Sequence, residues 1–106
     1  MSSYKVPAAE VSALSPQGFK VSIPDEKGIT LFAFHGKLNK PMVDLRDQTW
    51  ATDIILPTHG RWVYENSEVL LKVGDILYYW LTVRYNGLDY HAMHQISRFD
   101  APSSAQ

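Results

Sequence analysis

Hydrophobic and polar residues alternate in short runs along the chain, and turn-forming residues separate these runs at intervals of about ten positions. Such spacing is typical of a β-sandwich or barrel and predicts an all-β domain of seven or eight strands. No helix longer than a turn or two and no internal repeat is indicated. The predicted strands cover residues 10–14, 19–23, 29–38, 50–56, 61–65, 68–73 and 76–85, with a last strand from Leu88.

Two connections between these runs carry clear signals. Asn86-Gly87 separates the last two runs, and since both residue types tolerate the positive φ of a type I′ turn, we predict a β-hairpin there. Residues 39–49 are mostly polar and include Pro41, which predicts a surface loop with room for one helical turn.

The longest run, residues 76–85, has two unlike faces, because successive side chains of a strand point in opposite directions. One face is apolar and holds Leu77, Tyr79, Leu81, Val83 and Tyr85, and the other is mixed and holds Ile76, Tyr78, Trp80, Thr82 and Arg84. A mixed face suits a surface better than a core, so Trp80 is predicted to point outward, where an indole can stack on a sugar ring. The pattern alone equally allows Trp80 to be the buried tryptophan common in sandwiches.

The other two tryptophans lie in different contexts. Trp62 shares a strand face with Tyr64, which favours a core position. Trp50 follows the polar loop, where it can either anchor that loop or line a groove, and the local pattern does not decide between the two.

Length and composition limit the protein to one globular domain, since it has 106 residues, of which 45% are hydrophobic and 20% charged. The absence of cysteine excludes disulfides, thiolate metal sites and cysteine nucleophiles. A net charge of −1 without a basic stripe predicts no nucleic-acid partner. No apolar run approaches the ~20 residues of a membrane-spanning helix, and no apolar signal segment opens the chain, so no membrane span is expected.

The chain is predicted to form one module over residues 4–99. Residues 1–3 are predicted to be an added or frayed start. Residues 100–106, which are small and polar with one proline, are predicted to be a linker-like tail.

The histidines do not indicate a metal site. His91 and His94 have a spacing that would bring two imidazoles together on a helix but places them on opposite faces of a strand. His35 and His59 have no acidic or cysteine companion at ligand spacing, so each is predicted to be a surface or hydrogen-bonded core residue. We therefore expect no metal ion and no cofactor.

Catalysis likewise lacks a positive signal. Asp44 or Asp47 could form a glycosidase-like pair with Asp53, but a sandwich of this size offers little material for the deep cleft that such an enzyme needs. No nucleophile elbow, phosphate-binding glycine motif or metalloprotease signature occurs. The sequence predicts no catalytic residue and no enzyme activity.

Five stretches taken together resemble one family: residues 4–7, 16–25, 31–39, 60–62 and 74–80. The most specific of them is the run Leu-Phe-Ala-Phe-His-Gly at positions 31 to 36. In residues and in order, these stretches are similar to the amino-terminal domain of the arthropod β-1,3-glucan recognition proteins, also called Gram-negative bacteria-binding proteins. The likeness covers residues 4–90.

The resemblance implies an immunoglobulin-like β-sandwich of seven to eight antiparallel strands that is secreted into the haemolymph. It implies binding of long, triple-helical β-1,3-glucan of the curdlan and laminarin type, as found in microbial cell walls. It further implies a role in innate immunity, in which binding helps to start a serine-protease cascade toward prophenoloxidase or Toll signalling. Domains lined along one polymer could also associate with each other. Such a module catalyses no reaction.

Carried over position by position, the family's binding tryptophan matches Trp80 and its acidic residue matches Asp53. This chain departs from the family at three places, with Thr82 where an aromatic residue is frequent, His91 where an arginine is frequent, and Thr49 where a carboxylate is common. With neighbours on the mixed strand face included, the predicted carbohydrate-binding residues are Trp80, Asp53, Tyr78, Thr82, Arg84, His91 and Thr49.

The departures leave an alternative function open. A glucan site that has decayed at Thr49, Thr82 and His91 would leave a domain of the same fold that binds another protein, or another bacterial polymer such as lipopolysaccharide or lipoteichoic acid. Asp44 and Asp47 are candidates to replace the carboxylate that is missing at Thr49.

Overall fold

The computed structural model describes residues 4–44 and 46–100, which contain seven β-strands and no helix. The strands are β1 (Glu10–Ala13), β2 (Phe19–Pro24), β3 (Ile29–Leu38), β4 (Trp50–Ile54), β5 (Arg61–Asn66), β6 (Ile76–Tyr85) and β7 (Leu88–Arg98). The predicted start, residues 1–3, and the predicted tail beyond Asp100 lie outside the described residues. The bounds of the module therefore stay a prediction.

The strands form two sheets, one in the order β1-β2-β5 and the other in the order β4-β3-β6-β7. Every pair of neighbouring strands is antiparallel. Each sheet has an apolar face that must be covered, and two such faces cover each other in a sandwich. The predicted all-β, immunoglobulin-like sandwich is confirmed, with seven strands.

The segment of residues 68–73, which could have supplied an eighth strand, is a loop. Three of its backbone N–H groups donate to side chains instead of to a neighbouring strand. The Asn66 amide oxygen accepts from the N–H groups of Glu68 and Val69, and the Asp75 carboxylate accepts from the N–H of Lys72. Short polar side chains of this kind compete with sheet ladders for backbone groups. The loop still contributes the buried Leu71 to the core.

The core lies between the two sheets and is rich in aromatic rings. Phe34 of β3 is at its centre, with ring centroids 4.2 Å from Tyr64, 6.0 Å from Tyr79 and 6.2 Å from Phe19. Such pairs stabilise a core beyond the area that they bury. The largest fully buried side chains are Trp62, Phe19, Phe32, Phe34, Ile23, Leu71, Leu77, Leu81, Val21 and Val83.

Two of the three tryptophans belong to this core or its margin. Trp62 is buried, as predicted, and its indole N–H donates to the Asp25 carboxylate at 2.7 Å. Trp50, whose position the sequence left open, is half-buried and packs its ring 5.3 Å from Phe19. Trp50 therefore anchors the end of the preceding loop, residues 39–49, to the core.

The predicted hairpin between β6 and β7 is confirmed. Tyr85 pairs with Leu88, and the two turn residues Asn86 and Gly87 have φ values of 51° and 83°. A two-residue turn with positive φ at both positions matches the right-handed twist of the flanking strands.

A β-bulge interrupts the pairing of β6 with β7. Tyr79 pairs with Gln95 and Leu81 pairs with Ala92, so Trp80 faces two residues of β7, Met93 and His94. His94 has a positive φ of 58°. Bulges bend a strand and redirect side chains, and this one lies directly beside Trp80.

Replacing Gly36 by alanine should destabilise the fold. A Cβ at this position would lie 2.5 Å from Cζ and 2.9 Å from Cε2 of Phe34, at the centre of the core. Overpacking of this kind costs about 1–3 kcal/mol, which urea unfolding would measure as a lower midpoint. The cost should shrink in a Phe34→Leu background if the clash is its cause; an equal cost in both backgrounds would contradict this explanation.

Candidate functional site

The outer face of the four-stranded sheet carries the mixed face of β6. Along this strand, buried side chains alternate with those at positions 78, 80 and 84, which are partly or fully exposed. Trp80 is half-buried and lies outside the core, so its predicted outward orientation is confirmed. Thr82 points the same way but is only 8% exposed.

Strand register brings several predicted site residues into rows across this face. Thr82 pairs with Ala33 on one side and His91 on the other, and Ala33 pairs with Asp53. Asp53, Thr82 and His91 thus lie in one row across four strands. Asp53 and His91 are exposed at the two ends of the row. The small side chain of Ala33 between them projects little above the sheet.

The next row contains Trp80, which pairs with His35 of β3. Their rings are stacked, with centroids 3.9 Å apart and planes 9° from parallel. Adjacent strands are roughly 4.8 Å apart, so rings on directly opposite residues can stack this closely only if they stand up from the sheet. One face of the Trp80 indole is therefore covered by His35.

The stacked arrangement of Trp80 and His35 is not held by hydrogen bonds from their ring nitrogens Nε1 and Nδ1. Nε1 of Trp80 and Nδ1 of His35 are both buried and have no hydrogen-bond partner among the described residues. Burial lowers the pKa of His35 below its usual value, and nearby Asp53 opposes part of that effect. The imidazole is therefore neutral at neutral pH, which suits flat packing on an indole.

His91 contacts the same tryptophan from the other side. Its ring approaches Trp80 edge-on, with centroids 6.3 Å apart, and its Nδ1 lies 2.9 Å from the Thr82 hydroxyl. The residues at two departures from the family pattern, Thr82 and His91, are thus hydrogen-bonded to each other. The predicted two-residue turn at Asn86-Gly87 already implies this contact, because it pairs position 85 with 88 and therefore position 82 with 91.

Arg84 is held by an ion pair at one end of the face. Its guanidinium donates to both carboxylate oxygens of Asp89, at 2.8 and 3.3 Å. This pairing raises the pKa of Arg84 and lowers the pKa of Asp89, with Asp53 adding to the effect on Arg84. Arg84 remains exposed and can donate further hydrogen bonds to a ligand.

Thr49 lies at the other end of the face, near Asp44 and Asp47, the two candidates to replace the carboxylate that is missing at Thr49. Thr49 is exposed just before β4, and its N–H donates to the Gly36 carbonyl at 2.9 Å. Asp47 pairs with Lys37, and this hydrogen bond, helped by one from the Val43 N–H, lowers the pKa of Asp47. Asp47 is thus occupied in holding the loop against β3.

A groove of about 510 Å³ lies beside Trp80. Residues 41–44 of the loop form one side, residues 93–96 of the β7 bulge form the other, and residues 78–80 complete it. Val43 and Ile96 are strongly exposed, at 83% and 64%, although both are apolar. The volume falls in the ~300–1,000 Å³ range of ligand pockets.

Sequence reasoning placed Tyr78 and Trp80 correctly beside each other but missed the other parts of this region. It treated His35 as an ordinary histidine and did not predict the groove. The loop and the bulge meet there only because β3 pairs with β6 and β6 with β7. A weak signal existed in the apolar Val43, Met93 and Ile96, which fit no alternating strand face.

The part of the chain that the structure describes shows neither a metal-binding cluster nor a membrane-spanning helix. Residues 4–44 and 46–100 contain no group of three or more His, Cys, Asp or Glu side chains placed to hold a metal ion. No helix long and apolar enough to cross a membrane occurs in these ranges either.

Comparison with known proteins adds a family and several relatives. The family model CBM39, described as "Carbohydrate binding domain (family 32)", matches residues 5–101. The chain is 56% identical over 87 residues to "Gram-negative bacteria-binding protein 3" of Drosophila melanogaster, covering 82% of this chain and 18% of that protein. It is 46% identical over 87 residues to "Beta-1,3-glucan-binding protein 2" of Manduca sexta, with the same coverage, 82% and 18%.

A third relative, "Beta-1,3-glucan-binding protein" of Tenebrio molitor, is 48% identical over 82 residues, which are 77% of this chain and 17% of that protein. The chain thus spans about a fifth of the length of these relatives. Among solved structures, "Crystal structure of Br derivative BhCBM56" superposes with a TM-score of 0.66 at 15% identity, covering 92% of this chain and 96% of that one. This likeness concerns the fold.

Proposed function

Because the chain belongs to CBM39, a family of carbohydrate-binding domains, we propose that it binds β-1,3-glucan through the outer face of its four-stranded sheet and catalyses no reaction. The relatives named for β-1,3-glucan binding support this choice of ligand. The observation that carries the proposal is the outward-facing Trp80, which stands between the Asp53–His91 row and the groove.

The chemistry of this face fits a sugar chain. A pyranose ring offers an apolar face of C–H groups, which stacks on an indole, and a rim of hydroxyls, which need hydrogen-bond partners. Asp53 accepts, Arg84 donates, and His91 can do either according to its tautomer. Tyr78 adds a further aromatic ring beside Trp80, and the exposed Thr49 adds a hydroxyl at the end of the face.

A long polymer suits this site better than a short oligosaccharide. One tryptophan and a few hydrogen bonds bind a single ring weakly, because ordering and desolvation offset much of the contact energy. A long repeating ligand offers the site many equivalent positions, and domains that bind next to each other on one polymer can also contact each other. We therefore propose long β-1,3-glucan of the curdlan or laminarin type as the ligand, in the triple-helical form that the family resemblance implies, with several domains lined along one polymer.

The wider setting of the proposal is secretion and immune recognition of microbial cell walls. Relatives named for binding Gram-negative bacteria and β-1,3-glucan support it. In this setting, glucan binding by the module would help to start a serine-protease cascade toward prophenoloxidase or Toll signalling. Those steps belong to the whole protein. The relatives are about five times as long as this chain.

Co-sedimentation with curdlan tests the proposal directly. The module should be retained on the insoluble glucan and should release no reducing sugar from it. Absence of retention would reject glucan binding and favour a protein-interaction domain or a ligand such as lipopolysaccharide. Release of reducing sugar would reject the non-catalytic function.

Replacing Asp53 by asparagine should weaken retention on curdlan about tenfold, the usual scale for losing a charged hydrogen-bond acceptor. The carboxylate is exposed at the end of the Trp80 face, so its loss should leave the fold intact. Glu65→Gln is a matched control, because Glu65 is an exposed carboxylate on β5 of the other sheet. Equal affinities for the two variants would remove Asp53 from the site.

A further inference from the structure

The Trp80 indole has two faces, and the structure leaves only one of them open. His35 is stacked on the first at 3.9 Å. The groove is lined by Trp80 and by Met93 and His94 of β7, and β7 lies on the side of β6 opposite to β3, which carries His35. His35 does not line the groove, so the indole face away from His35 is the one that borders it. His91 touches the indole only by an edge-on contact at 6.3 Å.

A stacked neighbour changes what Trp80 can do for a ligand. An exposed tryptophan that samples several rotamers must be ordered when a sugar binds, and this ordering weakens binding. A tryptophan held against a second ring has already lost that freedom. It also presents one face only, so the position of the sugar ring is set in advance.

We propose that His35 is a positioning residue of the carbohydrate site, holding the Trp80 indole upright so that a sugar ring stacks on the face that borders the groove. This inference rests on the proposed glucan-binding function and assigns the side from which the sugar approaches. His35 itself need not touch the ligand.

Charge on the partly buried His35 imidazole is disfavoured where it stacks on Trp80, so acid should weaken the pair. Burial opposes charge on His35 and lowers its pKa. The stack is therefore complete at pH values above the ordinary histidine pKa of about 6.5. It is lost as the pH falls through the lowered pKa of His35. Other groups on the same face also carry charge or can titrate. They are Asp53 of β4, Lys37 of β3, Asp47 of the loop, Arg84 and Tyr78 of β6, Asp89, His91 and His94 of β7, and Asp44 at the groove.

Substitutions at His35 separate positioning from general packing. His35→Ala should weaken binding to curdlan about three- to tenfold, the scale of one lost aromatic pair. His35→Phe keeps a flat ring against the indole and should restore most of that affinity. Circular dichroism establishes that both variants are folded. Equal losses in the two variants, or no loss in a folded His35→Ala variant, would overturn the proposal.

The emission of Trp80 tests the stack without any ligand. It is obtained as the difference between the protein and its Trp80→Phe variant, with His91 and His94 replaced by glutamine in both. This emission should change as the pH is lowered from about 7.5 through the lowered pKa of His35, and the change should disappear with His35→Phe. A change that persists with His35→Phe, or an unchanged emission, would show that His35 does not hold the indole.

The direction of approach is read from methyl signals in NMR with soluble laminarin. Met93 and Ala51 flank the Trp80–His35 pair in the same row, Met93 on the open side and Ala51 on the covered side. Met93 should shift more than Ala51, and the reverse would overturn the proposal. If no signal shifts and curdlan is not retained, the glucan function fails, whereas the emission test still decides the role of His35.

Discussion

Replacing Trp80 by alanine should abolish retention on curdlan while the module stays folded. Trp80 is half-buried on the outer face and is not part of the core between the sheets, so its loss leaves the interior intact. Aromatic residues at the centre of a binding surface commonly contribute about 2 kcal/mol or more, which is more than tenfold in affinity.

The control for this prediction is the conservative variant Trp80→Phe, which keeps a smaller ring on the same strand. It should retain partial binding. Near-ultraviolet circular dichroism and urea unfolding would establish that both variants are folded. A folded Trp80→Ala variant that still sediments with curdlan would place the sugar site elsewhere, and an unfolded one would mean that Trp80 supports the core.

Replacing Trp62 by alanine should have the opposite effect, a large loss of stability with no direct effect on the binding face. Trp62 is 2% exposed and lies on β5, in the sheet that faces away from the proposed site. Truncating a buried tryptophan costs about 3–5 kcal/mol, a large part of the ~5–15 kcal/mol that stabilises a typical domain. Urea unfolding would measure the change as a lower midpoint.

A second substitution separates the two contributions of this residue. Trp62→Phe keeps most of the buried apolar area but removes the hydrogen bond from the indole to Asp25. It should therefore cost much less than Trp62→Ala. Equal costs would mean that the hydrogen bond, and not the filled volume, is what the core requires from this position.

The contrast between these tryptophans shows how far sequence patterns reach. The alternation in β6 allowed Trp80 to point either way, and the family resemblance favoured the outward orientation that the structure shows. Tyr64 on the same face as Trp62 favoured the inward position of Trp62. The predicted bounds of β3 and β6 match the structure, since a glycine or asparagine turn marks one end of each. Periodicity and turn chemistry act locally, so they are readable from one sequence.

The parts that could not be predicted depend on pairing between distant segments. His35 and Trp80 are 45 positions apart, and only the register of β3 with β6 makes them neighbours. The loop of residues 68–73 has a strand-like composition, but side chains of Asn66 and Asp75 take its backbone donors. In both cases the decisive contacts are made by residues outside the segment itself.

The bulge at Met93 and His94 also bears on the solubility of the module. β7 is an edge strand of eleven residues, and a regular edge of this length offers its free backbone groups to the strands of other molecules. The two-for-one pairing opposite Trp80 breaks that regular ladder near its middle. The same irregularity that borders the groove thus makes the free edge of β7 a poorer template for pairing with a strand of another molecule.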